Sequence, residues 1–128
     1  MSDITVIFAI KNRDRKRAEN CINSLVNQDC KIIVVDYGSD DLSWYSEVFG
    51  KVGFIAVRRD TEHFNKSRAL NIAIRQVSTP YVISSDIDNI FDDDFISEIK
   101  KIIYKKGVIA LTQKRELDES GKELRLHP

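Results

Sequence analysis

Short apolar runs alternate with amphipathic segments along this chain, and this alternation is the feature that most constrains its fold. The runs have the length of buried strands, and they are Ile4–Ile10, Lys31–Asp36, Phe54–Val57 and Tyr81–Ser85. A strand–helix order repeated four times is typical of a mostly parallel sheet with helices on both faces. Because crossovers between parallel strands are right-handed, we predict a doubly wound, Rossmann-like α/β fold.

The segments that follow the strands predict helices, and the end of the chain predicts a β-hairpin. Helical spacing of apolar residues predicts four helices. The first is capped by Asn12 or Asp14 and buries Ala18, Cys21, Ile22, Leu25 and Val26, and the second is a short helix over Leu42–Val48. The third covers Ser67–Val77 with the stripe Leu70, Ala73, Ile74 and Val77, and the fourth follows Asp92–Asp94 and buries Phe95, Ile96, Ile99, Ile102 and Ile103. A fifth strand over Val108–Thr112 and a hairpin that pairs Gln113–Leu117 with Lys122–Leu126 around Glu119-Ser120-Gly121 complete the prediction.

Length and charge narrow the class of protein. The 128 residues are enough for one domain, and 20 Lys and Arg balance 20 Asp and Glu. This balance argues against a nucleic-acid-binding protein, which carries a basic excess. No apolar run is long enough to span a membrane and no leader opens the chain, so we expect a cytoplasmic location. The two cysteines are expected to be reduced, and the two histidines are too isolated for a zinc site.

The fourth apolar run ends in two aspartates, Asp86 and Asp88, separated by one residue. In an open α/β sheet the carboxyl ends of the strands face the ligand. On an extended strand, residues two apart point the same way, so the two carboxylates are expected to converge. Converging carboxylates repel each other unless a cation lies between them. A hard divalent cation with phosphate oxygens as further ligands would satisfy them.

Other charged residues are predicted at the same edge of the sheet. Asp36 ends the second strand, where a carboxylate can accept a hydrogen bond from a nucleobase N–H or a ribose hydroxyl. The basic residues that can neutralise a diphosphate there are Lys11, Arg13, Lys66 and Arg68. The chain contains no glycine-rich phosphate loop, so a phosphate would have to be held by a metal and basic side chains.

Each of these features also has an ordinary structural interpretation. Aspartate pairs are common in turns and caps, and Asp36 before Gly38-Ser39 can form an Asx-turn. The basic residues Arg13, Lys66 and Arg68 can belong to solvated helix faces. Their shared position at one sheet edge is what favours a functional interpretation.

The motifs resemble those of family 2 glycosyltransferases over about residues 3–112. The similar segments are Ile4–Asn12, Val34-Val35-Asp36-Tyr37-Gly38-Ser39-Asp40-Asp41, Arg68-Ala69-Leu70-Asn71 and Ile83-Ser84-Ser85-Asp86-Ile87-Asp88. The segment Phe64-Asn65-Lys66-Ser67-Arg68 also resembles the donor site of β-1,4-galactosyltransferases, as does Asn12-Arg13. The resemblance implies a GT-A fold and an inverting, metal-dependent transferase that uses a UDP-sugar in polysaccharide or glycan biosynthesis.

The resemblance also implies roles for individual residues. The base and sugar edge of a uridine nucleotide would be lined by Ala9, Ile10 and Lys11, and Asp36 would contact uracil or ribose. The diphosphate would be faced by Arg13, Lys66 and Arg68. Asp86 would bind ribose or a metal-bound water, and Asp88 would ligate Mn²⁺ or Mg²⁺. The implied partners are the nucleotide-sugar donor and a sugar or glycan acceptor.

The chain departs from the family pattern in ways that affect these expectations. Tyr37 replaces the second aspartate of the V-D-D-G-S motif, and Ala9 replaces the usual proline. Residues 1–128 are expected to form a single nucleotide-sugar-binding domain that stops before the acceptor-binding half, which supplies the catalytic base. We therefore expect a chain that is inactive alone and that self-associates through an exposed sheet edge. The alternative is a non-catalytic nucleotide-binding or regulatory module.

Overall fold

The structure is a computed structural model, and it describes residues 2–57, 63–106, 114–117 and 123–127. In chain order the elements are β1 (Ile4–Ile10), α1 (Arg15–Leu25), β2 (Lys31–Tyr37), α2 (Tyr45–Phe49), β3 (Gly53–Val57), α3 (Lys66–Gln76), β4 (Tyr81–Ser84), α4 (Phe95–Lys106), β5 (Lys114–Leu117) and β6 (Glu123–His127). The first four strands alternate with helices, as predicted.

The four strands β1 to β4 form one parallel sheet in the order β3-β2-β1-β4. The central strand β1 is buried along its whole length, as expected for a strand flanked on both sides in a sheet covered by helices. Ile10 pairs with Asp36 on β2, and Ile7 pairs with Ser84 on β4. This register brings the carboxyl ends of β1, β2 and β4 to one edge of the sheet and confirms the predicted Rossmann-like fold.

Helix α3 covers one face of the sheet. Ala69 and Ala73 are fully buried and form one cluster with side chains that alternate along β1 and β2, namely Ile7, Ala9, Val35 and Tyr37. The small alanine side chains allow the helix to approach the strands closely. The predicted stripe was wrong at Ile74, which is 49% exposed, because the face that meets the sheet is centred on the two alanines.

The opposite face of the sheet is covered by α1 and α2. The side chains of α1 that are buried are Ala18, Cys21, Ile22 and Leu25. Tyr45, the first residue of α2, reaches Asp36 on β2, whose side chain alternates with that of Tyr37 and so lies on this second face. An ion pair of 2.5 Å between Arg15 and Glu47 joins the two helices. Helices therefore lie on both faces, as predicted.

Several boundaries differ from the prediction. Helix α2 begins at Tyr45 rather than Leu42, because Asp41 accepts a hydrogen bond from the Ser43 amide and holds the preceding residues in a turn. On α4, Ile96, Ile99 and Ile103 are buried as predicted, whereas Ile102 is 42% exposed, so the buried stripe excludes it.

The chain divides into two compact units, Met1–Ile96 and Ser97–Pro128. The first contains the parallel sheet. In the second, β5 and β6 pair in antiparallel fashion, which confirms the predicted hairpin. The predicted strand Val108–Thr112 and turn Glu119-Ser120-Gly121 lie outside the described residues. Among the helices that the structure describes, none has the length and apolar character needed to cross a membrane.

Candidate functional site

The loops that follow β1 and β2 are joined by hydrogen bonds through Asn12. Its amide donates to Ser39 Oγ over 2.7 Å, and its side-chain Nδ2 donates to Asp40 Oδ2 over 3.2 Å. The Asp40 amide returns a bond of 2.9 Å to Asn12 Oδ1. Asn12 has a φ of 51° and Gly38 a φ of 82°, which are left-handed conformations that asparagine and glycine tolerate best. The two loops therefore form one connected rim.

Asp36 lies beneath this rim, 1% exposed, and its carboxylate is held by three hydrogen bonds. Oδ2 accepts from the Ser39 amide over 3.0 Å, while Oδ1 accepts from Ser39 Oγ and, over 2.8 Å, from the Tyr45 hydroxyl. Burial raises the pKa of the Tyr45 hydroxyl, so this group stays protonated and remains a donor. The contact with uracil or ribose that the family resemblance implies for Asp36 stays a prediction.

The two aspartates after β4 do not continue the strand. β4 ends at Ser84, and Asp86 begins a turn in which the Asn89 amide donates to the Asp86 carbonyl over 3.3 Å. The expectation of an extended segment was wrong because Ile87 is buried, only 2% exposed, and the chain turns to place it in the core. Asp86 and Asp88 are both exposed on this turn.

Asp86 meets Lys66 at the start of α3. The Lys66 Nζ atom lies 3.1 Å from Asp86 Oδ1, and the two side chains are 53% and 49% exposed. Asn65 caps the helix by accepting from the Arg68 amide over 3.0 Å, which fixes the first turn that carries both Lys66 and Arg68. The exposed Arg68 side chain lies on that turn, so both predicted phosphate-binding residues belong to one rigid element.

Asp88 lies on the other side of the turn, at a cavity of about 140 Å³. The cavity is lined by Asn12, Arg13, Asp14, Arg17, Ile87 and Asp88. The pKa of the Cys21 thiol rises to about 12, first because the thiol is buried and second because the negative charge of Asp88 opposes a thiolate. Asp88 is therefore near both the start of α1 and the core beneath it.

The structure places the remaining predicted residues at different depths. Ala9 and Ile10 are buried in β1, with exposures of 8% and 0%, and Ala9 packs in the cluster beneath α3 while Ile10 points to the opposite face of the sheet. Lys11 is half-buried and Arg13 is exposed just beyond the end of the strand. The contacts of these residues with a nucleotide stay predictions.

The acidic residues suit a metal that is bound together with a phosphorylated ligand better than a metal held by protein side chains alone. Within the described parts of the chain, no three His, Cys, Asp or Glu side chains gather closely enough to hold a metal. Asp86 and Asp88 offer exposed carboxylates on one short turn, with basic side chains nearby. Mg²⁺ and similar ions are often held by one or two carboxylates together with substrate phosphates. The residues fit a metal that arrives with a phosphorylated ligand, and not a closed site made by protein alone.

Sequence reasoning missed Tyr45 and the bridging role of Asn12. Asn12 was expected as a helix cap, a role that Asp14 fills by accepting from the Arg17 amide, and as part of a motif at the end of β1, but not as a bridge to the loop after β2. Tyr45 carried no motif signal, because its contact with Asp36 depends on how α2 packs against the sheet.

Comparisons with known proteins address the family and the fold. A family model described as "Glycosyl transferase family 2" matches residues 5–127. No curated protein sequence matches the chain. Among solved structures, S. aureus TarS 1-349 has a TM-score of 0.67 and 22% sequence identity, over 84% of this chain and 33% of that chain.

Two ligand complexes of the same S. aureus protein are also similar. TarS 1-349 in complex with UDP-GlcNAc has a TM-score of 0.67 and 22% identity, over 84% of this chain and 32% of that chain. The complex with UDP has a TM-score of 0.64 and 22% identity, over 84% of this chain and 33% of that chain. The chain thus spans about a third of the length of these structures, and the likeness shows that it shares their fold.

Proposed function

Since the chain belongs to glycosyl transferase family 2, we propose that it forms the donor-binding part of a glycosyltransferase. The donor is a nucleoside diphosphate sugar, with UDP as the nucleotide, and the acceptor is a hydroxyl group of a sugar or glycan in polysaccharide or glycan biosynthesis. The UDP and UDP-GlcNAc complexes of the similar TarS structure support this choice of ligand. The transfer proceeds with inversion and depends on a divalent metal.

The observation that carries the proposal is the meeting of Lys66 and Asp86 across the carboxyl edge of the sheet. Their 3.1 Å ion pair brings the first turn of α3 against the turn that follows β4. An exposed ion pair contributes only up to about 1 kcal/mol, so Lys66 can exchange its carboxylate partner for a phosphate at small cost. Asp86 is then free to accept a hydrogen bond from the ribose or a metal-bound water.

The side chains of this edge have distinct roles in the proposed complex. The negative charge of the diphosphate is neutralised by Lys66, Arg68 and Arg13, which donate charge-assisted hydrogen bonds to its oxygens. Asp36, held from three sides, faces the nucleoside. Asp88 and Asp86 would hold Mn²⁺ or Mg²⁺, which when bound stabilises negative charge on the departing nucleoside diphosphate.

Activation of the acceptor requires a base that these residues do not supply. Asp36 and Asp40 accept hydrogen bonds within the rim, and Asp86 is paired with Lys66. A general base must reach the hydroxyl proton that it removes. We therefore propose that the 128-residue chain binds the donor and does not transfer the sugar by itself.

Calorimetry of the purified chain tests the proposed function. UDP is titrated with Mn²⁺, with Mg²⁺ and with EDTA, and we expect binding that is strongest with a metal. Uridine and inorganic phosphate serve as ligand controls, and Asp93→Ala, at an exposed site before α4, serves as a variant control. Absence of UDP binding under all three conditions would overturn the proposal, and metal-dependent turnover of a UDP-sugar would contradict the separation of binding from transfer.

A further inference from the structure

Tyr45 lies outside every motif of the chain, yet its hydroxyl is one of the three groups that hold Asp36. The ring is 4% exposed and packs edge-on against Phe49 and Phe54, with centroid distances of 5.2 and 5.4 Å. Its position is thus set by aromatic packing within α2 and against β3. The hydroxyl lies 2.8 Å from Asp36 Oδ1 and 3.1 Å from Ser39 Oγ.

The distribution of donors around Asp36 is uneven. A carboxylate has about four acceptor positions, two on each oxygen. Oδ1 accepts from both Ser39 Oγ and Tyr45, whereas among the described residues Oδ2 accepts only from the Ser39 amide. Within this part of the chain one acceptor position is left, and it belongs to Oδ2. A carboxylate can use that position only toward a donor, such as the N3–H of uracil or a ribose hydroxyl.

We propose that Tyr45 is a positioning residue that fixes the orientation of the buried Asp36 carboxylate, so that the unfilled Oδ2 acceptor position is the one presented to the uracil N3–H at the base of the rim. This inference rests on the proposed function, because it concerns how the same site selects its nucleotide. Without the Tyr45 hydroxyl, Oδ1 also has an open position, and the carboxylate can rotate so that either oxygen is unsatisfied. Selection for the N3–H donor then weakens, while the diphosphate contacts of Lys66 and Arg68 are unaffected.

Tyr45→Phe removes the hydroxyl and keeps the ring that packs against α2 and β3. The probes are UDP and N3-methyl-UDP, in which a methyl group replaces the N3 hydrogen and so removes the donor from which Asp36 is proposed to accept a hydrogen bond. A hydrogen bond to a charged group corresponds to about tenfold or more in affinity. We expect the unmodified protein to prefer UDP by about that factor, and Tyr45→Phe to lose most of the preference with little change for N3-methyl-UDP.

Tyr81→Phe is the matched control, because it removes a hydroxyl from the first residue of β4, at the amino ends of the strands and away from the candidate site. It should keep the full preference for UDP. Ser39→Ala provides a second test, since it removes the other side-chain donor to Oδ1 and should also reduce the preference. Unfolding temperatures of all variants establish that the fold is retained.

The possible results separate the inference from the proposed function. If the unmodified protein binds neither probe, the proposed function is overturned and the role of Tyr45 in it falls as well. If it binds UDP and N3-methyl-UDP equally, Asp36 does not select N3–H and the inference is wrong, although nucleotide binding stands. Equal weakening of both probes in Tyr45→Phe, or an unchanged preference, also overturns the inference, because Tyr45 then supports only the fold or has no role.

Discussion

Asn12 and Asp40 exchange two hydrogen bonds across the gap between the ends of β1 and β2. Asn12 Nδ2 donates to Asp40 Oδ2 over 3.2 Å, and the Asp40 amide donates to Asn12 Oδ1 over 2.9 Å. The pair fixes the segment between Lys11 and Arg13, which are both expected to approach the nucleotide. Asn12, whose backbone is in the left-handed conformation, thus connects the two halves of the rim through its side chain.

Replacing Asn12 should separate the contribution of its side chain from that of its backbone conformation. Asn12→Gly keeps the left-handed backbone accessible and loses the two bonds to Asp40, which are at the surface, so we expect a loss of about 0.5–1.5 kcal/mol in the free energy of unfolding. Asn12→Ala loses the same bonds and keeps a Cβ in the left-handed region without the local hydrogen bonds by which asparagine tolerates it, so we expect it to be roughly 1 kcal/mol less stable than Asn12→Gly. Urea unfolding measures both values. A variant with alanine that is as stable as the one with glycine would contradict this account.

Lys66 and Arg68 should contribute to binding of the diphosphate and not to selection of the base. Both are exposed on the first turn of α3, whose amino terminus also favours anions. Arg68→Ala should weaken UDP by about 1.5–3 kcal/mol, the value typical of a hydrogen bond to a charged group, and leave uridine almost unchanged. Calorimetry with both ligands checks this, with Arg75→Ala, in the last turn of the same helix, as the control. Equal losses for UDP and uridine would show that the assignment is wrong.

Asp88 and Asp86 should differ in how their loss affects the metal dependence of UDP binding. Asp88→Ala should abolish the increase in affinity that Mn²⁺ provides, because Asp88 is the proposed ligand of the metal. Asp86→Ala should weaken UDP binding both with Mn²⁺ and with EDTA, because its proposed partners include the ribose. Titrations under the two conditions measure each effect. Metal-dependent binding that survives in Asp88→Ala would exclude Asp88 as the metal ligand.

Cys21 should make the stability of the chain depend on pH in the alkaline range. Burial, assisted by the charge of Asp88, raises the pKa of its thiol from 9.0 to about 12. Between these values the unfolded chain loses the thiol proton while the folded chain keeps it, so the stability present below pH 9 is lost as the pH rises toward 12. Urea unfolding from pH 8 to 11 should show a steeper loss for the unmodified protein than for Cys21→Ala.

The comparison with Cys21→Ala isolates the thiol, because Tyr45 and other groups that titrate at high pH are the same in both proteins. Alanine also leaves a cavity, so it lowers the stability at every pH. The quantity to compare is therefore the slope of the free energy of unfolding against pH in the two proteins. Identical slopes would mean that Cys21 does not keep its proton through this range. Alkylation of the native protein gives a second measurement, since the protonated, buried thiol should react far more slowly than a thiol in the unfolded chain.

The strands of the parallel sheet could be predicted from sequence because each contains a short, largely apolar run. β1 was predicted to the residue, Ile4–Ile10, since all of its side chains are buried and Thr5 is its single polar residue. The shared position of the candidate residues followed from topology, because parallel strands bring their carboxyl ends to one edge. Helix α2 was less predictable, because the turn held by Asp41 and Ser43 delays its start.

The detailed arrangement of the site depended on tertiary contacts that no local pattern encodes. The sequence drew attention to Asp86 and Asp88 as candidates, but burial of Ile87 turns the chain there and directs Asp88 toward the cavity shared with Arg13. The contact between Tyr45 and Asp36 requires the position of α2 on the sheet. Aromatic packing against Phe49 and Phe54 sets that position, and the contacts between these rings appear only in the folded chain.

The central place of β1 in the sheet has a consequence for the synthesis of the protein. β1 is made first, yet it pairs on one side with β4, where Ile4 meets Tyr81. At rates of about 5–20 residues per second, translation must continue for roughly 4 to 15 s before that partner exists. During this interval one edge of an apolar strand is without its neighbour on the nascent chain. A codon-dependent pause before Tyr81 would lengthen that exposure, and the yield of folded protein should be more sensitive to translation speed there than after β4 is complete.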